Sequence, residues 1–489
     1  MMNMSSLDQK YRRLHPSIII FGIIRKLVAI VILSIIYLLL HQNYMSSLSS
    51  IAKTILAISI VFSLMRSYLF WKNFTYIFED DLLIINSGML FKSSRVIALH
   101  QIRNIDLRVS LLQRLFGVVE LRMDAEGGEK ESLLKFAAVT RNEVERIKSL
   151  LRYQEKENSI VWKQFLTPIF VYGITTLKVG YVSSFLMFCY FQFDFLDNSS
   201  FVLQVEEWLR TFDMPQRIGA IAAIFMLVSW MISVFFALFR FYRLRVYITG
   251  DSLQIKKGLV NTHTTTIKMK DLAAIRVEEN ILRQLFGLCT VYLDSISGGN
   301  EDESNSTILI PLIRKKILSR TLQTYFPTWD FTLISPIGNP ADKNLFRSPK
   351  RSMLSFCILK CMLLGGCGLL TIQLPIPPSY VSLMLLLSVS ISLIWGSLQY
   401  KDVVINTFQR NQLSFSTRFI NKTTVFMGRH CIQQMVYRQN FIQSHNHLCT
   451  IMFTVRTSAF KTRYKVKHID EKNASIINAW FSPAKMTDL

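Results

Sequence analysis

The sequence predicts membrane α-helical hairpins plus α+β modules: three repeats of a two-helix hairpin, each followed by an antiparallel sheet with a C-terminal helix. Three observations carry that reading. The first is an internal repeat, the signature to be sought before any other. Residues 113–128, Gln-Arg-Leu-Phe-Gly-Val-Val-Glu-Leu-Arg-Met-Asp-Ala-Glu-Gly-Gly, return at 283–299 as Arg-Gln-Leu-Phe-Gly-Leu-Cys-Thr-Val-Tyr-Leu-Asp-Ser-Ile-Ser-Gly-Gly. The same offset of 170 maps Gly88 onto Gly258, Ile102 onto Leu272, Ile105 onto Ile275 and Asp124 onto Asp294. A degenerate third copy lies about 160 further on, where Leu272 maps onto Ile432, Ile275 onto Met435 and Cys289 onto Cys449. The second observation is a pair of apolar segments ahead of each copy. The third is a switch to strand periodicity after each pair.

The apolar segments are 18–40, 51–70, 165–193, 218–240, 354–373 and 379–398. A span needs about 20 apolar residues, so six spans are expected. Composition agrees: of 489 residues half are hydrophobic, 18% are charged, and mean hydropathy is +0.29. No small-residue cleavage site follows the first apolar run, so it is expected to stay in the membrane. The joint between spans 3 and 4 sets Asp194, Asp197, Glu206, Glu207 and Asp213 against Arg210 and Arg217. Lys10, Arg12 and Arg13 precede span 1, and Lys343, Arg347, Lys350 and Arg351 precede span 5. The positive-inside rule then places both termini and all modules in the cytoplasm, with the net charge of +23 facing anionic headgroups. Seven scattered cysteines without a CxxC pair read as reduced packing residues.

Each hairpin opens in the same way. Pro16 precedes Lys26, Pro168 precedes Lys178 and Pro349 precedes Lys360, with mostly apolar sequence between. A lysine is costly at the bilayer centre and tolerable near an interface. Lys26, Lys178 and Lys360 are therefore read as membrane elbows, the alternative being that Lys178 is a functional intramembrane charge facing the bundle interior. The layout becomes 1–72 for the first segment and hairpin, 73–158 for module 1, 159–241 for hairpin 2, 242–330 for module 2, 331–400 for a linker and hairpin 3, and 401–489 for module 3.

In module 1, Ile77-Phe78 and Leu82–Ile85 predict two strands. Arg95–Leu107 carries a run of apolar positions, and Leu111–Phe116 is a short turn that Gly117 can end in a left-handed conformation. Val119, Leu121 and Met123 alternate with Glu120, Arg122 and Asp124, giving one buried strand face. Gly127-Gly128 predicts a hairpin turn to Leu133–Val139. Thr140 and Glu143 form a capping box ahead of Val144, Ile147, Leu150 and Leu151. In module 2, Pro311 is placed as the first residue of a helix carrying Ile313, Ile317 and Leu318. In module 3, Val403–Ile405 and Leu413–Phe415 predict strands, and the last helix runs from near Asp470 to Trp480-Phe481.

Ile102-Arg-Asn-Ile-Asp106, Arg114-Leu-Phe-Gly117 and Asp124-Ala-Glu-Gly-Gly128, preceded by two spans, resemble the bacterial pleckstrin-homology-like (PH-like) membrane proteins of the YdbS/YdbT type. The triple layout resembles the YdbT branch. Copy 3 departs from the pattern, with His445-Asn446-His447 where copy 2 has Leu285-Phe286-Gly287. The resemblance implies a curved seven-stranded sheet closed at one end by a helix, a fold that hosts binding more often than catalysis. It also implies a shorter single-module relative as a membrane protein partner.

No Walker loop, GxGxxG, HExxH or GxSxG is present. Leu115, Phe116, Gly117 and Asp124, with Leu285, Phe286, Gly287 and Asp294, are read as the structural motif of the repeat. His445 and His447, near His430, Cys431 and Cys449, lack a closing ligand pair at zinc-like spacing, so no metal, cofactor or catalytic residue is expected. Charge distribution says more. Residues 71–160 hold 14 Lys/Arg and 13 Asp/Glu, whereas 400–489 hold 13 and four. Arg456, Lys461, Arg463, Lys465 and Lys467 flank a hairpin and are the candidate contacts for anionic lipid or a partner. Nucleic acid is not expected, since no aromatic-basic stacking pattern occurs. The function expected is that of a non-enzymatic protein of the bacterial cytoplasmic membrane that binds lipid or a partner, in envelope stress or tolerance to membrane-active peptides. The alternative is a transporter or lipid-handling protein, weakened by the scarcity of intramembrane polar groups beyond Lys178, Arg66 and Gln373.

Overall fold

The computed structural model describes residues 11–22, 24, 48–79, 81–88, 92–125, 133–151, 159–163, 165–176, 207, 211, 213–249, 251–296, 306–334, 345–370, 378–408, 411–456 and 461–482. The chain divides into two compact units, Met1–Thr266 and Ile267–Leu489.

In the first unit, β1 (Arg12–Arg13) precedes the first apolar segment, yet pairs with β2 (Thr75–Glu79) beyond helix α1 (Leu48–Asn73). Strands β3 (Leu82–Ser87) and β4 (Ser93–Ala98) complete a four-stranded antiparallel sheet in the order β1-β2-β3-β4. Next come β5 (Ile102–Val109), the five-residue helix α2 (Leu111–Leu115), β6 (Val118–Ala125), β7 (Leu133–Thr140) and α3 (Arg141–Leu150). Val119, Leu121 and Met123 point inward, as their alternation predicts, to join Tyr76, Leu83, Phe136 and Ile147. The Tyr76 and Phe136 rings meet edge to face at 5.1 Å, the favoured geometry for aromatic pairs.

The second repeat begins with β8 (Ser159–Lys163), helices α4 (Leu166–Thr175) and α5 (Met214–Phe241), then β9 (Arg245–Thr249), β10 (Ser252–Lys257) and β11 (Thr262–Lys268). Here the sheet crosses the repeat boundary. β11 pairs with β5, Thr262 opposite Val109, giving one seven-stranded sheet in the order β7-β6-β5-β11-β10-β9-β8.

The second unit repeats the arrangement. It contains β12 (Leu272–Glu279), α6 (Ile281–Leu285), β13 (Leu288–Ser295), β14 (Ser306–Arg314) and α7 (Lys315–Tyr325). These lead to β15 (Leu345–Arg347), α8 (Ser352–Leu370), α9 (Pro378–Asp402), β16 (Val404–Phe408), β17 (Gln412–Arg418) and β18 (Lys422–Gly428). β12 pairs with β18, so the sheet runs β14-β13-β12-β18-β17-β16-β15. The chain closes with β19 (Ile432–Arg438), α10 (Phe441–His445), β20 (Leu448–Arg456), β21 (Lys461–Asp470) and α11 (Glu471–Phe481), the strands forming a separate sheet of three.

Among the described residues each repeat thus has seven strands, one of them ahead of its apolar segments. The expected single curved sheet is instead divided four and three: the three of the first and second repeats continue into the next repeat's four, while the first four and the last three stand as sheets of their own. Copy 3 has its strands and last helix where its sequence placed them.

Two local expectations are corrected. Pro311 lies inside β14, and α7 starts only at Lys315. Proline cannot donate to a ladder and is tolerated on edge strands and at bulges; β14 is an edge strand, and its register with β13 shifts between Cys289 and Val291. Ile313 is accordingly a buried strand residue, while Ile317 is exposed. Thr140 starts α3 without capping it through its side chain, and the Glu143 side chain, the other half of the expected box, is taken by Arg12 and by the Tyr76 hydroxyl, 3.4 Å away.

Of the six expected spans, most of 18–40 and much of 165–193 lie outside the described residues, as do Lys26 and Lys178. The other four coincide largely with α1, α5, α8 and α9. Among the described residues no helix is long and apolar enough to cross a membrane, so the structure does not support membrane hairpins by itself.

Candidate functional site: apolar tips and a basic face beside the hairpins

The repeated Leu-Phe-Gly motif forms a tip. In copy 1, Ser110 caps α2: its hydroxyl accepts from the Gln113 amide at 3.3 Å, and the Gln113 side chain accepts from the Ser110 amide at 2.8 Å. Gln113 also donates to the Ala137 carbonyl at 3.0 Å, pinning the helix down by its buried side. In copy 2 the buried Arg283 makes the corresponding anchor, donating to the Thr290 hydroxyl at 2.7 Å. In copy 3, Asn440 and Gln443 form the same capping box, and Gln443 donates to the Thr450 hydroxyl at 2.9 Å.

With one polar side chain anchored, the remaining residues of each short helix must face outward. Leu115 is 80% exposed, Leu285 77% and Phe441 90%. Leu111, Phe116, Ile281, Phe286 and Ile442 are exposed beside them. The motif read as structural therefore places its leucines and phenylalanines on the surface, and its glycines make the turn. Gly117 and Gly287 adopt φ of 64° and 61°, a region open to glycine without penalty. His447 adopts φ 50° at the same place in copy 3, so the divergent His445-Asn446-His447 keeps the turn.

The tips lie beside the hairpins. Phe116 meets Phe21, just after the first helical turn beyond Pro16, at 5.6 Å edge to face. Arg351, at the start of α8, donates to the His447 carbonyl at 3.4 Å and pairs with Asp470. The β17–β18 turn is a second apolar protrusion, with Phe419 and Ile420 exposed. Its Phe419 carbonyl accepts from Trp395 at 2.6 Å and Gln399 at 3.0 Å, both on α9. Arg418 ties that turn to the copy 2 tip, donating to the Gln284 side chain at 2.7 Å while pairing with Asp402. In the first unit the equivalent turn is held by Leu259 donating to the Phe239 carbonyl of α5 at 3.1 Å. Gly258 permits that approach: its φ is 111°, and a Cβ would lie 2.0 Å from the Asn261 carbonyl oxygen.

Lys360 is the described member of the lysine series. It turns toward α9, bonding the Phe356 carbonyl at 2.7 Å and the Gln399 side chain, with the Trp395 ring 5.6 Å away.

Among the five basic candidates, Arg463, Lys465 and Lys467 share one exposed face of β21, as the two-residue strand period requires. Arg456 lies opposite Lys461 in the β20–β21 register, and their side chains are outside the described residues. The intervening Tyr464 points the other way, donating to Asp294 on β13. Burial raises the Asp294 carboxyl above the ordinary range, opposed by Arg276 at 3.5 Å and by the Tyr464 hydroxyl. This aspartate belongs to the seam between repeats, a role that single-copy reasoning missed; its signal was recurrence at a strand end. The Asp124 side chain lies outside the described residues.

Among the described residues no cluster of three or more His, Cys, Asp or Glu side chains is arranged to hold a metal. His447 instead lies 3.6 Å from Glu471. Burial pushes the Cys289 thiol up to about 12 and those of Cys431 and Cys449 up to about 11, values that disfavour the reactive thiolate.

The sequence pattern of the family described as bacterial PH domain matches residues 19–155, 193–326 and 358–485. The chain is similar to the UPF0699 transmembrane protein YdbT of Bacillus subtilis (strain 168), 26% identical over 509 aligned residues that cover 97% of this chain and 98% of that protein. No solved structure matches.

Proposed function

The chain belongs to the bacterial PH domain family in three copies, and from that premise we propose that it is a non-enzymatic scaffold of the bacterial cytoplasmic membrane. Its hairpins anchor it as a multi-pass protein, and its cytoplasmic modules bind a membrane protein partner, anionic lipid, or both. A role in envelope stress or tolerance to membrane-active peptides fits such a scaffold. The observation that carries the reading is the recurrence of solvent-exposed apolar tips beside the hairpin helices, where a soluble protein would be expected to bury them. The helices support it, exposing Ile58 and Phe62 on α1, Met231 and Phe235 on α5, and Leu386 and Ile394 on α9. Its relative is itself called a transmembrane protein.

The lipid contact assigned to module 3 is the row Arg463, Lys465 and Lys467. Basic residues at an anionic surface are each worth about 1 kcal/mol. A transport role gains little from Lys360, whose bonds to Phe356 and Gln399 account for it as a strut between helices.

The test is extraction with surrounding lipid in polymer discs, followed by mass spectrometry of every co-purifying protein and lipid. A stoichiometric protein partner is expected, or enrichment of an anionic lipid that is lost in the triple variant Arg463→Glu, Lys465→Glu, Lys467→Glu. Neither enrichment, together with substrate-dependent flux in reconstituted vesicles, would sink the scaffold reading.

A further inference from the structure

The two repeat boundaries are closed by one device. β5 takes β11, and β12 takes β18, each as an antiparallel neighbour. By the internal repeat, β4, β11 and β18 are counterparts, each followed by a short 3-10 turn (Leu99–Gln101, Met269–Asp271, Arg429–Cys431). β5, β12 and β19 are counterparts in the same way. Three repeats therefore supply two closed junctions and leave one strand of each kind over. Among the described residues, β4 and β19 each end a sheet with no strand on the outer side.

We propose that β4 of one chain pairs with β19 of a second copy, so that chains join head to tail through a third junction of the same kind. The register is fixed by the closed junctions. Transposing Leu107 opposite Thr264 from the first places Tyr437 opposite Ser94. Transposing Ala274 opposite Met427 from the second places Gln434 opposite Ile97. These two pairs belong to one register, which also sets Met435 opposite Val96 and Val436 opposite Arg95.

Burial marks the same edge. Val96 is 60% exposed, whereas its counterparts inside closed junctions, Thr266 and Phe426, are 3% and 0% exposed. Neither leftover strand carries proline, the commonest block on an open edge, and they are six and seven residues long. Such edges are templates for another strand. A pairing between a β4-type and a β19-type surface is heterologous, so it closes into rings or extends as chains.

Charge makes this junction weaker than the second internal one. The second junction sets Glu279 opposite Lys422, whereas β4 and β19 carry only Arg95 and Arg438. The register puts Arg438 opposite Ser93, two residues from Arg95 on the same face. Salt should strengthen the association by screening these like charges. Arg95→Glu should strengthen it at low salt.

The test uses full-length protein in lipid nanodiscs large enough for several copies. Two differently tagged populations carry Val96→Cys and Met435→Cys, are mixed, and are oxidised. The expected result is a disulfide between the two tags, well above a Val96→Cys with Gln439→Cys control, and a higher dimer fraction for Arg95→Glu at low salt. Equal cross-linking in both pairs, a cross-link confined to one chain, or a single-chain mass at all salt concentrations would overturn the proposal. A cross-link to a different protein instead of the second copy would also overturn it. None of these outcomes depends on lipid binding by Arg463, Lys465 or Lys467.

Discussion

His468 sits at a bulge of β21 with φ 58°, its ring 4.3 Å from Phe356. Its Nδ1 lies 3.1 Å from the Gln443 side-chain nitrogen, a donor that needs an unprotonated ring atom to accept from it. Burial, then the positive charges of Lys467 and Lys360, push its pKa down to about 4. An unfolded histidine titrates near 6.5, so between those values the unfolded chain binds the proton and the folded chain does not. Stability therefore falls as pH drops from about 6.5 toward 4. We expect His468→Asn, which tolerates the left-handed backbone, to flatten that acid limb in thermal melts of the detergent-solubilised protein. An acid limb as steep as that of the parent protein would show that His468 does not contribute to it. The same anchor holds α10, so this residue also reports on the copy 3 tip.

At the scale of elements, the tips are short helices whose position is set by one buried side chain, Gln113, Arg283 or Gln443, and one left-handed residue. Placed at an interface, an exposed Leu-Phe pair gains roughly 25 cal/mol per Å² of apolar area removed from water. We expect a tryptophan introduced by Leu285→Trp to be quenched by lipids brominated near the headgroup more strongly than by lipids brominated near the chain end. Quenching by neither would mean that the tip stands clear of the bilayer. Much of the element scale was legible in the sequence. The alternation at Val119, Leu121 and Met123, the turn at Gly117 and the last helix after Asp470 follow from period and cap chemistry. The outward direction of Leu115 and Phe116 was not legible, because a repeated apolar pair reads equally as core or as surface until the anchoring polar residue is known. Pro311 misled because proline opens helices and also sits at bulges of edge strands. The strands before each hairpin were hidden for another reason: Arg12–Arg13, Ser159–Lys163 and Leu345–Arg347 are five residues or fewer and pair across an entire hairpin.

For the whole molecule, the consequence of sheets that cross repeat boundaries is that the boundaries of sequence copies are not boundaries of stability. Coupling between neighbouring repeats sets the cooperativity of such arrays. Within the second unit that coupling has a local centre. Asp294 of the second repeat, itself buried, receives the Tyr464 hydroxyl of the third and lies 3.5 Å from Arg276, both of these partners being half-buried. Burial alone would favour a neutral carboxyl, and the arginine and tyrosine pull against that. Removing one partner leaves a buried polar group unsatisfied, a loss of about 1–3 kcal/mol. We therefore expect Tyr464→Phe to destabilise the second unit by about that amount. Asp294→Asn should cost less in the Tyr464→Phe background than alone, with a coupling of about 0.5–3 kcal/mol in a double-mutant cycle. Chemical denaturation in detergent, followed by tryptophan fluorescence, measures all four corners. Strictly additive losses would mean that the seam is held by its backbone ladder alone, and that Asp294 is a remnant of the repeat it shares with Asp124.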